Sequence, residues 1–338
     1  MAQAAFYEGD RRIRLGLGEP VDPGAGEVQL QVSHCGICGT DLHIFHGAMD
    51  ARVEMPLVMG HEMSATVRKL GTGVEGFELG DKVVVMPLAP CQACPACDAG
   101  HSHICHNLNF LGIDTPGAFQ SFWTVPAHTL HRIPANLSMK HAAMIEPLAV
   151  ACHDVRLANL RPGDHVVVLG GGPIGMLVAL VARHAGASVI VSEINPYRVE
   201  LASNVGLEAV NPSETDLIAL IMRRTKGRGA DIVFEVSGSQ AGADIMTELL
   251  RTRGLAVIVA IFAHKPKIDL FRFFWRELRL KGVRVYESQD FADAISLAAA
   301  EALPLDELIT DIRPLSALRS GFEDMEKGGQ VMKILLEI

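Results

Sequence analysis

The segment VVVLGGGPIG, residues 166–175, decides how this chain folds. Its four leading apolar residues suit a strand buried on both faces, and the glycines that follow end that strand abruptly. Gly170, Gly172 and Gly175 stand in G-x-G-x-x-G spacing, and residues 176–185 read as the helix that comes next. A strand, a glycine turn and a helix amino terminus in that order make a cradle for a pyrophosphate. The first glycine permits the tight turn, the second lets the phosphates approach the backbone, and the third allows close helix packing, while the helix terminus attracts negative charge. Pro173 and Ile174 complete the loop. An ordinary glycine-rich turn shares this spacing, but Glu193 closes the next apolar stretch about 20 residues on, where a carboxylate accepts hydrogen bonds from ribose hydroxyls. The segment therefore predicts a dinucleotide site. Glu193 favours NAD over NADP because it would repel a ribose 2'-phosphate; Arg198 turned towards that phosphate is the competing arrangement.

The same texture continues downstream. SVIVSE (188–193), ADIVFEVSG (230–238) and LAVIVA (255–260) alternate with helical stretches at 197–204 and 242–250. Continuous apolar strands separated by helices predict an α/β doubly wound parallel sheet, here over residues 151–285. Upstream, EVQLQVS (27–33) alternates polar and apolar residues, as an antiparallel strand with one wet face requires, and no long helical period precedes residue 138. Residues 1–150 are expected to form a mainly antiparallel β domain that carries the chemistry, and residues 286–338 a tail that returns to it.

The chain has 338 residues, 49% of them apolar, enough for two cores. Thirty basic against 39 acidic residues give a net charge of -9, which repels polyanions, so nucleic acid is not expected as a partner. The apolar run at 166–182 is interrupted by Gly170, Gly171, Gly172 and Pro173, which argues against a membrane span. No apolar stretch follows a basic start at the amino terminus, and a cytoplasmic location is expected.

Four of the seven cysteines crowd together: Cys91, Cys94, Cys97 and Cys105, in C-x2-C-x2-C-x7-C spacing. Four thiolates so close can wrap one tetrahedral zinc ion with no open position, a structural site; an iron–sulfur cluster takes the same ligands but has no electron-transfer context here. His101, His103 and His106 read as solvated loop residues. The stretches HCGICGTDLHIFHG (34–47) and GHE (60–62) hold Cys38, His61 and carboxylates, types that could bind a catalytic zinc with one position left for substrate. No local spacing rule joins Cys38 to His61, so a buried thiol and an unrelated histidine remain equally open on spacing alone.

Six motifs in order, CGICGTDLH, GHE, GDKVVV, the four-cysteine segment, EPLAVACH and LGGGPIG, resemble the zinc-containing medium-chain alcohol dehydrogenases, closest to the sorbitol, threonine and butanediol dehydrogenase branch. The resemblance implies a Rossmann domain joined to a GroES-like catalytic domain, NAD(H), and two zinc ions per chain, one catalytic and one structural. It implies Cys38 and His61 as ligands of the catalytic zinc, with Glu62 or Glu146 completing the sphere. Asp41 would orient the zinc histidine, and Thr40 and His43 would relay the alcohol proton through the cofactor ribose to solvent. Cys152 and His153 are expected to be packing residues. The implied reaction interconverts a small secondary alcohol, diol or polyol and its ketone by hydride transfer. A threonine dehydrogenase-like activity is the alternative, and a zinc-free quinone or enone reductase or a non-catalytic binding protein are the rivals. Residues 45–56, the neighbourhood of Phe110, and Phe271, Phe273, Phe274 and Trp275 are expected to wall the substrate pocket, with core packing or subunit contact as the alternative. A homotetramer is the implied assembly, with a dimer as the alternative.

Overall fold

The computed structural model describes residues 2–338, which divide into two compact units. One comprises the chain up to Glu146 together with Phe291–Glu301 and Leu308–Ile338; the other comprises Pro147–Asp290 and Ala302–Glu307.

The second unit is built on a six-stranded parallel sheet. Its strands are β1 (His165–Leu169), β2 (Ser188–Ser192), β3 (Glu208–Val210), β4 (Ala230–Glu235), β5 (Leu250–Ile258) and β6 (Arg279–Gly282). They lie in the order β3-β2-β1-β4-β5-β6, the doubly wound arrangement of dinucleotide-binding folds. Val167 and Leu169 of β1, Val233 of β4 and Ala256 of β5 pack against Leu217, Ile221, Met246 and Leu249 from covering helices. The strand order reverses between β1 and β4, which opens a crevice at their carboxyl ends, and the glycine loop sits at that point.

The first unit is mainly antiparallel β. Its largest sheet runs Leu130–Arg132, Lys82–Val85, Glu62–Leu70, Glu27–Gly36, Lys333–Glu337 and Ile309–Pro314, with Phe122–Pro126 also paired to Glu27–Gly36. The carboxyl-terminal strand enters it antiparallel, Leu335 opposite Gly36 and Leu336 opposite Cys35. A seven-residue helix, Gly39–Phe45, interrupts this β texture, too short for its period to show in the sequence. No helix among the described residues is long and apolar enough to cross a membrane.

His153, expected to be a packing residue, is held in a charged network. It lies on the helix Ile145–Leu157, and its Nδ1 is 2.7 Å from Asp290 Oδ2, while Arg156 Nε donates to Asp290 Oδ1 at 2.6 Å. Burial opposes ionisation of Asp290, but the His153 and Arg156 hydrogen bonds outweigh it and hold its pKa far below the usual range. Its neighbour Asp154 is fully buried with neither carboxyl oxygen hydrogen-bonded, and burial, helped by the charge of Asp290, pushes its pKa well above the ordinary carboxylate value. A carboxyl group whose folded pKa is raised loses stability as pH rises through that value. Asp154→Asn should therefore raise the melting temperature at pH 8, by about 2–4 °C if about 1 kcal/mol is recovered, with the gain shrinking towards pH 4. Differential scanning calorimetry across that range checks this, and a loss at pH 8 would contradict it.

Candidate active site

Cys38 caps the Gly39–Phe45 helix. Its Sγ accepts a hydrogen bond from Thr40 N–H at 3.4 Å, and its own N–H donates to Asp41 Oδ2 at 2.9 Å. This reciprocal capping box fixes the thiol and turns Asp41 into the interior. His61 comes from the turn that opens strand Glu62–Leu70, and close glycine packing holds that turn. At Gly60, with φ +96°, a Cβ would fall 2.7 Å from the Phe119 ring. At Gly117, a Cβ would fall 2.2 Å from the Gly60 carbonyl oxygen. The His61 ring stands edge-on to Phe110 at 5.3 Å.

These elements bring the Cys38 thiol, the His61 imidazole and the Glu62 carboxylate together, with one ligand atom of each within 4.8 Å of the others. Asp41, His61 and Glu62 are buried, as is Glu146 in the first turn of the Ile145–Leu157 helix. Burial alone would favour neutral imidazole, but Asp41, Cys38 and Glu146 overcome it and raise the His61 pKa well above its ordinary value. These negative groups favour a cation among them. His61 Nδ1 and Asp41 Oδ1 face each other at 3.6 Å, both buried and without hydrogen bonds. A thiol, an imidazole and a carboxylate fit zinc, and an imidazole whose second nitrogen faces a buried carboxylate is the usual outer arrangement of a zinc histidine.

Thr40 and His43 lie three residues apart on one face of the Gly39–Phe45 helix, with His43 exposed. Phe45 takes the core alternative: it is buried and stacks on Phe322 at 4.7 Å.

The sulfurs of Cys91, Cys94, Cys97 and Cys105 also cluster within 4.8 Å. The helix Pro95–Asp98 starts at Cys94, the short turn Ser102–Ile104 ends at Cys105, and all four thiols are free. Backbone N–H groups point at the sulfurs, Cys91 and Asn107 to Cys105 at 3.3 Å and His106 to Cys94 at 3.4 Å. Such donors favour thiolate: the N–H groups of Cys97 and His106 lower the Cys94 pKa to about 6, whereas burial and the neighbouring thiols raise that of Cys97 to about 11. Four thiolates in one closed cluster fit a second zinc ion. His101 and His106 point outwards.

In the other unit, Gly172 caps the helix Pro173–His184, with Pro173 at its first position. Gly170 turns with φ +100°, where a Cβ would press the Ser237 backbone beyond β4 at 3.0 Å. A Cβ on Gly175 would fall 1.9 Å from the Gly170 carbonyl oxygen, so that position admits no side chain without opening the loop. Glu193 follows β2 and anchors the loop: its Oε2 accepts from Gly171 N–H at 2.8 Å, and its Oε1 from Ile194 and Asn195 N–H at 2.7 and 2.8 Å. Arg198 lies beside it, Nη1 to Oε2 3.9 Å.

One residue near the thiol–imidazole–carboxylate group escaped the sequence reading. Lys333 is buried against Glu62. A lysine set in the apolar terminal stretch VMKILLEI was the available signal.

Residues 24–135 match the family model of the alcohol dehydrogenase GroES-like domain, and residues 173–300 that of zinc-binding dehydrogenases. The chain belongs to the zinc-dependent medium-chain alcohol dehydrogenase family. It is 52% identical over 99% of its length to 2-dehydro-3-deoxy-L-galactonate 5-dehydrogenase of Pseudoalteromonas atlantica, covering 98% of that protein. Among solved structures it resembles 2R,3R-butanediol dehydrogenase from Bacillus subtilis, with a TM-score of 0.92, 32% identity and full coverage of both chains. A zinc-binding dehydrogenase from Sinorhizobium meliloti, bound to NADP, superposes with a TM-score of 0.94 at 31% identity, over 100% of this chain and 99% of that one. Its fold is thus that of a Rossmann unit with a GroES-like unit, and it is a zinc-dependent dehydrogenase of alcohols or polyols that uses a nicotinamide dinucleotide.

Proposed function

We propose that this dehydrogenase oxidises the C5 hydroxyl of a 3-deoxy-2-keto sugar acid, 2-dehydro-3-deoxy-L-galactonate, with NAD. The observation that carries the reaction class is the meeting of Cys38, His61 and Glu62 within 4.8 Å. The substrate follows from the name of the Pseudoalteromonas relative. A zinc-free quinone or enone reductase would have no use for that trio or for the four-cysteine cluster.

Cys38, His61 and Glu62 hold the catalytic zinc in this reading, and Glu146 stands by as a second carboxylate. Bound zinc supplies the Lewis acidity that makes the substrate hydroxyl acidic near neutral pH. Asp41 keeps a proton on His61 Nδ1 and leaves the other ring nitrogen free to ligate. Thr40 Oγ1 would accept the substrate proton, and the exposed His43 would hand it on to solvent. A bound nicotinamide dinucleotide would supply the hydride acceptor; Gly170, Gly172, Pro173, Ile174 and Gly175 would hold its pyrophosphate and Glu193 its ribose hydroxyls. Arg198 is close enough to serve a 2'-phosphate, but the nearer carboxylate weighs against it. Cys91, Cys94, Cys97 and Cys105 hold the structural zinc, and these free thiols agree with a reducing, cytoplasmic setting.

We also propose a homotetramer that starts from a dimer of the parallel-sheet units. Edge strand β6 has one unpaired side, and Phe271, Phe274 and Trp275 beside it are 66%, 77% and 71% exposed. Exposed aromatics next to an open strand edge are an unstable surface for a lone chain, and a second copy of the same edge would cover them.

Three measurements test these readings. Metal analysis of Cys38→Ser should show one of two zinc equivalents lost and kcat/KM reduced by at least about 10³-fold, with NADH fluorescence binding retained; full turnover without that metal refutes the site. Steady-state kinetics on 2-dehydro-3-deoxy-L-galactonate, sorbitol, 2,3-butanediol and L-threonine should favour the first, and NAD over NADP by about 100-fold; a preference for NADP assigns the ribose site to Arg198. Light scattering should give the mass of four chains, and Phe271→Asp with Trp275→Asp should reduce it; a monomeric wild type removes the assembly.

A further inference from the structure

Lys333 is the one lysine or arginine buried among the described residues. The strand Lys333–Glu337 pairs with Glu27–Gly36 and brings this ammonium beneath the candidate metal ligands from the far end of the chain. Its Nζ donates to Glu62 Oε2 and, at 3.0 Å, to the Ile37 carbonyl. Gly36 is shaped around the pair, since a Cβ there would fall 2.4 Å from Glu62 Oε2 and 2.9 Å from Lys333 Cε. The surroundings are crowded with groups that carry or can carry negative charge: Cys38, Asp41, Glu62 and Glu146 all act on His61 or Lys333. One divalent cation leaves that set with a negative excess, and Lys333 is the charge that reduces it.

We propose that Lys333 is a positioning residue of the metal centre, gripping one oxygen of Glu62 and thereby limiting how firmly that carboxylate engages the metal, so that a coordination position stays exchangeable for substrate. The proposal rests on the assignment of Cys38, His61 and Glu62 as zinc ligands. A carboxylate set between an ammonium and a divalent ion is shared by both. Without the ammonium, Glu62 turns wholly to the metal and holds the position that substrate needs. Without the carboxylate, the stranded ammonium repels the metal across a few ångströms of low-dielectric interior.

The experiment uses full-length enzyme loaded with cobalt(II) in place of zinc, read by visible absorption, by chelator competition for metal affinity, and by kinetics. Glu62→Gln should weaken metal binding by about 10- to 100-fold, the range usual for groups around a metal site, and adding Lys333→Met to it should restore most of that loss. Lys333→Met alone should shift the cobalt bands, make them insensitive to substrate, and lower kcat by about tenfold or more, while Lys333→Arg keeps wild-type bands. The comparison of Glu62→Gln with the double variant, in which no buried charge of the pair remains, decides the matter even if Lys333→Met alone does not fold. Equal metal affinities in those two variants overturn the proposal. Cobalt bands that persist in Cys38→Ser overturn the ligand assignment and this proposal with it; bands lost in Cys38→Ser but unmoved through the Lys333 series overturn this proposal alone.

Discussion

The structure depends on a compensation of charge. An imidazole and three carboxyl groups lie in the interior of the β-rich unit, where water cannot solvate them, beside the half-buried Cys38 thiol. Buried charges persist only when paired or metal-bound. The backbone meets part of the demand, through the capping of Asp41 and Cys38 by amides of the Gly39–Phe45 helix. Lys333 meets another part. What remains is an unsatisfied Asp41–His61 pair facing a negative pocket, and a divalent cation is the simplest group that completes it.

The glycine loop was legible because its requirements are local. Gly170 and Gly175 are needed where they stand by contacts with the turn itself and with the strand end beside it, so the spacing, read with the strand before it and the helix after it, announces them. The four cysteines are similar, since fifteen residues of chain wrap the whole cluster. Cys38 and His61 are different: nothing in the sequence fixes their distance, and only resemblance to a family joined them before the sheet register did. Lys333 is 271 residues from its partner Glu62, and its place follows from the pairing of two strands at opposite ends of the chain. His153 was misread for the same reason, because Asp290 lies 137 residues away. The helix at Gly39–Phe45 was missed because two turns are too few to show a period.

Glu193 carries a lesson about reading a carboxylate by its motif. Its expected partners were ribose hydroxyls, yet three backbone amides already donate to it, one of them from Gly171 inside the phosphate loop. The same side chain therefore braces the loop and stands at the proposed ribose position. Replacing it would change cofactor preference and loop geometry together, so a loss of NAD binding in such a variant would not by itself measure the ribose contact. The discriminating quantity is the ratio between the two cofactors, because a loosened loop would lower both affinities equally and leave that ratio unchanged.

The two metal-competent clusters of the β-rich unit differ in a way that matches what each can do. The four-cysteine cluster is assembled from one short segment, its sulfurs are steadied by amides of that same segment, and four like ligands leave no position free. Such a site can stabilise a loop but cannot admit substrate. The Cys38, His61 and Glu62 cluster is assembled from a helix cap, a glycine-locked turn and the strand that follows it, and its support comes from a second, distant strand. Mixed ligands held from several directions can be fixed in place while one of them stays loosely committed. Exchange at a metal requires that looseness, and only a framework outside the ligand set can supply it without letting the metal go. Local chain geometry builds the closed site, and long-range β pairing builds the open one.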